Sequence, residues 1–327
     1  MSGVSDGRIR IQISPEVHDE ERILDELGTA LREDPPRIPS RHFYDERGSR
    51  LFDQITRLEE YYPTRSEAAL LAEHADRIVA RASPRCLVEL GSGSAAKTRR
   101  LLDAMAHSGS LERYVPFDIS EEPLRRSAVA LAADYPQLRI DGLVGDFSAH
   151  LDDIPAADDR LVIFLGGTIG NFEPEARESF LTALAAVMEP GEHFLLGVDR
   201  IKDRRRLEAA YNDRAGVTAA FNRNILAVVN DLTGGDFDPA AFRHRAIYDT
   251  DAHRIEMWLD SRLAQSVRLP ALDLALDLEP GDSILTEIST KYDLERVDAM
   301  LARNGFRRID WMTDSEGLFG LALAERL

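Results

Sequence analysis

The sequence predicts an α/β fold: a largely parallel sheet with helices on both faces, ended by an antiparallel hairpin and joined to a second, smaller α+β module. Three observations predict it. Strand-like and helix-like stretches alternate between residues 85 and 199. The strands among them, above all Leu161, Val162, Ile163, Phe164 and Leu165, are apolar throughout, as strands covered on both faces must be. Two further strand-like runs, 306–312 and 318–324, are separated only by the polar turn 313–317, which suits a hairpin.

The elements follow in order. Residues 1–15 read as a loose N-terminus, polar and without the apolar centre of a signal peptide. Val17, Ile23, Leu24, Leu27 and Leu31 fall at helical spacing and predict a helix over 16–32. The prolines at 35, 36 and 39 break it. Residues 41–64 read as irregular and rich in aromatics, with Phe43, Tyr44, Phe52, Tyr61 and Tyr62. A helix follows over about 65–81. Strands are then expected at 85–90, 114–118, 139–145, 161–165 and 194–199, with helices after the first strand and at 121–134 and 174–188. The stretch 201–285 changes character: helices at 202–211 and 215–230, then short alternating runs such as 254–259.

Composition narrows the function. The chain has 327 residues, 58 of them acidic and 40 basic, for a net charge of −18. Such a surface repels phosphate backbones, so nucleic acid is not an expected partner. A single cysteine, Cys86, excludes an internal disulfide framework and suits a reducing cytoplasm. No apolar run approaches the roughly 18 residues that a membrane helix needs. The eight histidines are scattered, none in a metal-ligand pair such as H-E-x-x-H, so no metal is expected; His244 and His253 read as surface residues.

The clearest chemistry is the turn Gly91-Ser92-Gly93-Ser94-Ala95-Ala96-Lys97-Thr98 after the first strand. Glycines there let a ligand approach the backbone, at the edge where open α/β sheets bind ligands. A phosphate loop fits except that Ala96 replaces its second glycine. A dinucleotide fingerprint also fits Gly91 to Ala96, and so does an adenosylmethionine site. Asp118, ending the second strand, would hold ribose hydroxyls in either of the last two. Asp146 and Phe147, ending the third, suit an adenine: the carboxylate accepts from its amine and the ring stacks. Asp118 and Asp146 are also ordinary turn residues at strand ends. A second turn, Gly166-Gly167-Thr168-Ile169-Gly170-Asn171-Phe172, follows the most apolar strand. Asn171 there suits a substrate amine or carboxylate, or an N-cap for the helix at 174.

These motifs, with Arg41-His42-Phe43-Tyr44-Asp45, Glu59-Glu60-Tyr61-Tyr62-Pro63-Thr64 and Leu285-Thr286-Glu287-Ile288-Ser289, resemble the histidine-specific Nα-methyltransferases of ergothioneine biosynthesis over almost the whole chain. The resemblance implies a Rossmann-like methyltransferase sheet ending in the antiparallel hairpin, a fold analogy rather than a derivation. It implies a methyltransferase domain of 65–200 plus 288–327 and a substrate-binding domain of 20–64 plus 201–287. It implies S-adenosyl-L-methionine as methyl donor and L-histidine as substrate, trimethylated to hercynine, in a protein read as monomeric. Cofactor residues implied are Tyr44, Gly91, Lys97, Asp118, Asp146 and Phe147, with Lys97 facing the methionine carboxylate. Substrate residues implied are Tyr61, Gly166, Asn171 and Tyr211 at the amino acid end, with Met257, Glu287 and Ser289 around the imidazole. A carboxylate is the strongest acceptor for an imidazole N–H, and residues 287 and 289 share a face if extended.

The attacking amine must be neutral, so a proton must leave it; water or Tyr44, the candidate catalytic residue, would take it. Phe52 and Tyr61 could face the quaternary product cation. The alternative is a methyltransferase for another amino acid or small amine; a non-catalytic nucleotide-binding module is a third reading.

Overall fold

The computed structural model describes residues 7–14, 19–93, 95–147 and 149–327. The sheet that organises the chain has eight strands. They are β1 (Ile9–Ile13), β2 (Cys86–Leu90), β3 (Arg113–Asp118), β4 (Arg139–Val144), β5 (Arg160–Phe164), β6 (His193–Asp199), β12 (Phe306–Thr313) and β13 (Phe319–Arg326). Their order is β1-β4-β3-β2-β5-β6-β13-β12, parallel except that β13 runs against both β6 and β12. This is the parallel sheet and closing hairpin expected from the alternation. Order reverses between β2 and β5, so the turns after these strands flank the crevice where such sheets hold ligands.

Alternation along the strands builds two cores. Leu87, Tyr114, Ile140, Leu161 and Ile163 point to the face covered by α3 (Pro63–Ala82), α4 (Arg99–Ser108) and α5 (Glu121–Asp134). Cys86, Val88, Leu90, Val115 and Phe164 point to the opposite face, under α6 (Pro174–Val187) and α9 (Leu294–Arg303).

A third apolar core joins distant parts of the chain. It gathers Leu27 and Leu31 of α1 (Glu20–Leu31), Phe43 and Tyr61 with Phe221 and Ile225 of α8 (Val217–Thr233). It also includes Met257 and Ile284 from a three-stranded antiparallel sheet, β11-β8-β7, made of β7 (Phe242–Asp249), β8 (Arg254–Ser261) and β11 (Ser283–Thr290). β11 pairs with β8 as far as Thr290, opposite Arg254.

Three expectations need correction. Within the supposedly loose 1–15, Ile9–Ile13 is an edge strand whose alternating isoleucines pair in parallel with Ile140 to Val144. Residues 1–6 and Pro15 lie outside the described residues, as do Glu16 and Val17 of the expected first helix. Within 41–64, expected irregular, α2 (Glu46–Ile55) forms because Asp45 caps it, its carboxylate accepting the Gly48 N–H at 2.6 Å. Helix α6 starts from Glu173 with no side-chain cap, so Asn171 is not its N-cap and is left for other work.

Candidate active site

Two glycine turns face each other at the C-terminal edge of β2 and β5. Gly91 has φ of 74°, a left-handed conformation open to glycine, and a Cβ there would lie 3.8 Å from the Phe147 ring. Phe147 itself stands edge-on to Phe117, Phe164 and Phe180. Asp118 accepts the Gly93 N–H at 2.8 Å and the Ser120 N–H at 2.9 Å. Burial raises the Asp118 carboxyl and these bonds oppose the rise. Asp146 faces Arg41 at 3.8 Å, and Arg41 in turn pairs with Glu26 of α1. Gly91, Asp118, Asp146 and Phe147 therefore converge. The buried Ser92 Oγ of the same turn has no hydrogen-bond partner among the described residues. An orphaned hydroxyl, an aromatic face and two strand-end carboxylates fit an adenosyl group.

Lys97 does not stand alone. Its ammonium binds the fully buried Glu67 of α3, whose other oxygen accepts the Gly166 N–H at 2.7 Å. Glu67 was not among the sequence-derived candidates. Its signal was a carboxylate on the apolar stripe of a helix, beside Leu70 and Leu71. Beneath the first turn, the buried Glu89 accepts from Thr98 and Tyr114, and burial pushes its carboxyl up to about 7.

The second cluster is built by β8, β11 and the aromatic segment. Met257 lies opposite Glu287 in the ladder, with a bulge between Leu285 and Glu287, and is buried. Burial raises the Glu287 carboxyl to about 7, against the opposing pull of Lys291 and of the neighbouring Asn171 side chain. Ser289 accepts from the Tyr211 hydroxyl at 2.9 Å. Tyr211 is buried, not on a surface, and stands edge-on to Tyr61 at 6.2 Å. His244 is likewise buried, contrary to expectation: its ring binds the Tyr211 carbonyl and Asn222, fixing the backbone that carries Tyr211.

Tyr44 bridges the two clusters. It stacks edge-on to Phe52 and Phe221, while Phe52 stands edge-on to Tyr61. Tyr44 is 44% exposed as a residue, but its phenol end is desolvated among site groups, which raises it above its ordinary range, with Glu287, Tyr211 and Asp118 adding to the rise. The phenol is neutral at neutral pH and placed as a hydrogen-bonding group. The second glycine turn meets β11 at Gly170. A Cβ there would lie 2.6 Å from the Thr290 carbonyl oxygen, so only glycine lets this turn press on β11. A cavity of about 500 Å³ between α1 and β11 opens onto Asn171 and Glu287.

The model of the family described as histidine-specific methyltransferase, SAM-dependent, matches residues 23–326. The chain belongs to this family. A histidine N-alpha-methyltransferase of Mycolicibacterium smegmatis is 51% identical over 92% of this chain and 97% of its own length. One from Mycobacterium tuberculosis is 49% identical over 91% of this chain and 93% of its own. Ergothioneine biosynthesis protein 1 of Neurospora crassa is 30% identical over 89% of this chain, which spans 33% of that protein. Family membership selects adenosylmethionine among the three ligands that the first glycine turn had left open. Among the described residues, no helix is long and apolar enough to cross a membrane.

Proposed function

We propose that this chain methylates the α-amino group of L-histidine three times, with S-adenosyl-L-methionine as donor, to give hercynine in ergothioneine biosynthesis. The observation that carries the reading is the seating of β11, with Glu287 and Ser289, on the turn 166–172 at the ligand edge, where Asn171 and Glu287 line one cavity. The relatives named histidine N-alpha-methyltransferase, at about half identity, support it.

Roles follow from chemistry. Gly91, Asp118, Asp146 and Phe147 hold the adenosyl group, and Lys97 with Glu67 meets the methionine tail. Glu287 and Ser289 take the imidazole beside Met257; Tyr61, Gly166, Asn171 and Tyr211 line the amino acid end. The bound donor supplies a sulfonium methyl that needs no further activation. The protein therefore has to align a neutral amine and keep water out. One proton leaves the nitrogen before each attack; each attack forms an N–C bond as the C–S bond breaks. Tyr44 hydrogen-bonds the amine and water carries the proton away. The faces of Tyr44, Phe52 and Tyr61 then accommodate the growing cation.

The apolar core that unites 27–62 with 207–284 supports a division into the two units expected from sequence, the smaller closing over substrate. The lone buried cysteine supports a cytoplasmic setting, and the charge of −18 argues against nucleic acid.

The test is mass spectrometry of purified protein with adenosylmethionine and an equal mixture of the twenty amino acids. Three methyl groups on histidine alone are expected. Methylation of another amino acid would keep the donor half of the site and overturn the imidazole half.

A further inference from the structure

Lys291, just past β11, is completely buried. Its ammonium donates to Ser289 Oγ at 2.7 Å and to the Tyr211 hydroxyl at 3.0 Å, and pairs with Asp199 Oδ2 at 2.9 Å. Three donors meet three partners, so the group is fully committed. Asp199 is itself held by the Tyr62 hydroxyl at 2.9 Å and by Lys202. A buried ammonium is tolerated only when paired and hydrogen-bonded in this way. None of the roles assigned so far uses it.

Counting protons along the chain gives the cluster a direction. Lysine cannot accept, so both hydroxyls accept from Lys291. The Tyr211 phenol, the more acidic of the two hydroxyls, donates to Ser289. Ser289 Oγ then accepts twice, and both of its lone pairs are used. Its own proton is the one donor left unspent among Lys291, Tyr211 and Ser289. Glu287, two positions earlier, is an acceptor.

We propose that Lys291 is a positioning residue that, through Tyr211 and Ser289, fixes the Ser289 hydroxyl as a hydrogen-bond donor to the substrate ring. With Glu287 as acceptor, the pocket then selects a ring carrying one N–H and one unprotonated nitrogen. This rests on the reading that the imidazole lies at Glu287 and Ser289. Such a ring is a neutral imidazole in one tautomer. An imidazolium would bring an N–H against an oxygen with no free lone pair. A phenyl or indole ring would leave the serine donor unmatched in a buried site.

The experiment compares kcat/KM for histidine with two sets of analogues. The 2- and 3-pyrrolylalanines keep a ring N–H and replace the acceptor nitrogen by C–H. The 4- and 5-thiazolylalanines keep the acceptor and replace N–H by sulfur. Wild type should favour histidine over the better pyrrolylalanine by at least about 10-fold. Lys291→Met should shrink that ratio to within about 3-fold, because the serine proton is no longer directed. Its preference over the thiazolylalanines, which reports on Glu287, and its adenosylmethionine affinity should not change. Because Lys291→Met strands Asp199, the double variant Lys291→Met/Asp199→Asn is measured beside it, with the same ratios expected. A wild-type pyrrolylalanine ratio in whichever of these variants folds, with the ratio lost in Ser289→Ala, would overturn the role of Lys291 alone. A wild-type ratio in Ser289→Ala as well would mean the ring lies elsewhere and would overturn the reading beneath it.

Discussion

The Glu67 carboxylate ties together the turns after β2 and β5: one oxygen accepts the Gly166 N–H and the other holds the Lys97 ammonium. The Glu67–Lys97 pair is a charge couple with almost no net charge. A methionine tail is a zwitterion, and a couple of opposite charges complements it better than a lone cation does.

Glu67→Gln should keep the Gly166 bond, through the amide oxygen, and remove one charge of the couple. Adenosylmethionine and adenosylhomocysteine, which share the tail, should bind about 10-fold more weakly. Methylthioadenosine, which lacks it, should bind as before. Isothermal titration of the three ligands checks this. Equal weakening of all three would mean that Glu67 supports the whole turn and not the tail.

The two clusters should separate in binding measurements. Asp118→Ala removes a carboxylate bonded to Gly93 in the first turn, and should weaken the donor by about 10- to 100-fold. Glu287→Ala should weaken histidine by a similar factor and the donor by less than about 3-fold. Normal donor binding in the Asp118 variant would remove that residue from the ribose.

Glu287 also makes a pH prediction. Burial lifts its carboxyl to about 7 in the folded protein, above the 4.5 of an ordinary glutamate. The folded state therefore holds this proton more tightly than the unfolded state does. The resulting stability is complete below about pH 4.5 and disappears as pH rises through 7. Between pH 5 and 8 the wild type should lose stability relative to Glu287→Gln, by on the order of 2 °C or more in Tm. Saturating histidine, donating its ring N–H to the carboxylate, favours the charged form and should flatten the difference. Thermal unfolding across pH, with and without histidine, measures both.

The parallel sheet was legible because each of its strands carries its own signal. Cys86, Val88 and Leu90 alternate with Leu87 and Glu89, and a glycine turn follows at once. The strand-end acids Asp118 and Asp146 were legible for the same reason: topology brings every parallel strand end to one edge. What stayed hidden depends on partners far away in sequence. Glu67 stands out only as a carboxylate on an apolar helix stripe, and its role shows once α3 packs against the turn at Gly166. Lys291 looks like a solvated cation until β11 turns it onto Asp199. Helix α2 was missed because its aromatic and charged residues obscure the apolar face carrying Leu51 and Ile55, which packs into the third core. Motif resemblance reached Glu287, Asn171 and Ser289, but not the hydrogen bonds that give them direction.

Gly170 offers the sharpest test that the two clusters form one site. Its conformation does not demand glycine; its surroundings do. An added Cβ would meet the Thr290 carbonyl oxygen at 2.6 Å and the Thr290 nitrogen at 3.0 Å, both backbone atoms that cannot swing away like a side-chain end. Gly170→Ala must therefore push β11 off the turn by several tenths of an ångström. Glu287 and Ser289 ride on β11, whereas Gly91 follows β2 and Asp118 ends β3, and neither moves with it. Catalysis is sensitive to misplacement on this scale, so kcat/KM for histidine should fall by about 10-fold or more. Adenosylmethionine affinity should stay within about 3-fold of wild type. A variant that methylates histidine at the wild-type rate would separate β11 from the turn and dissolve the composite site proposed for the substrate.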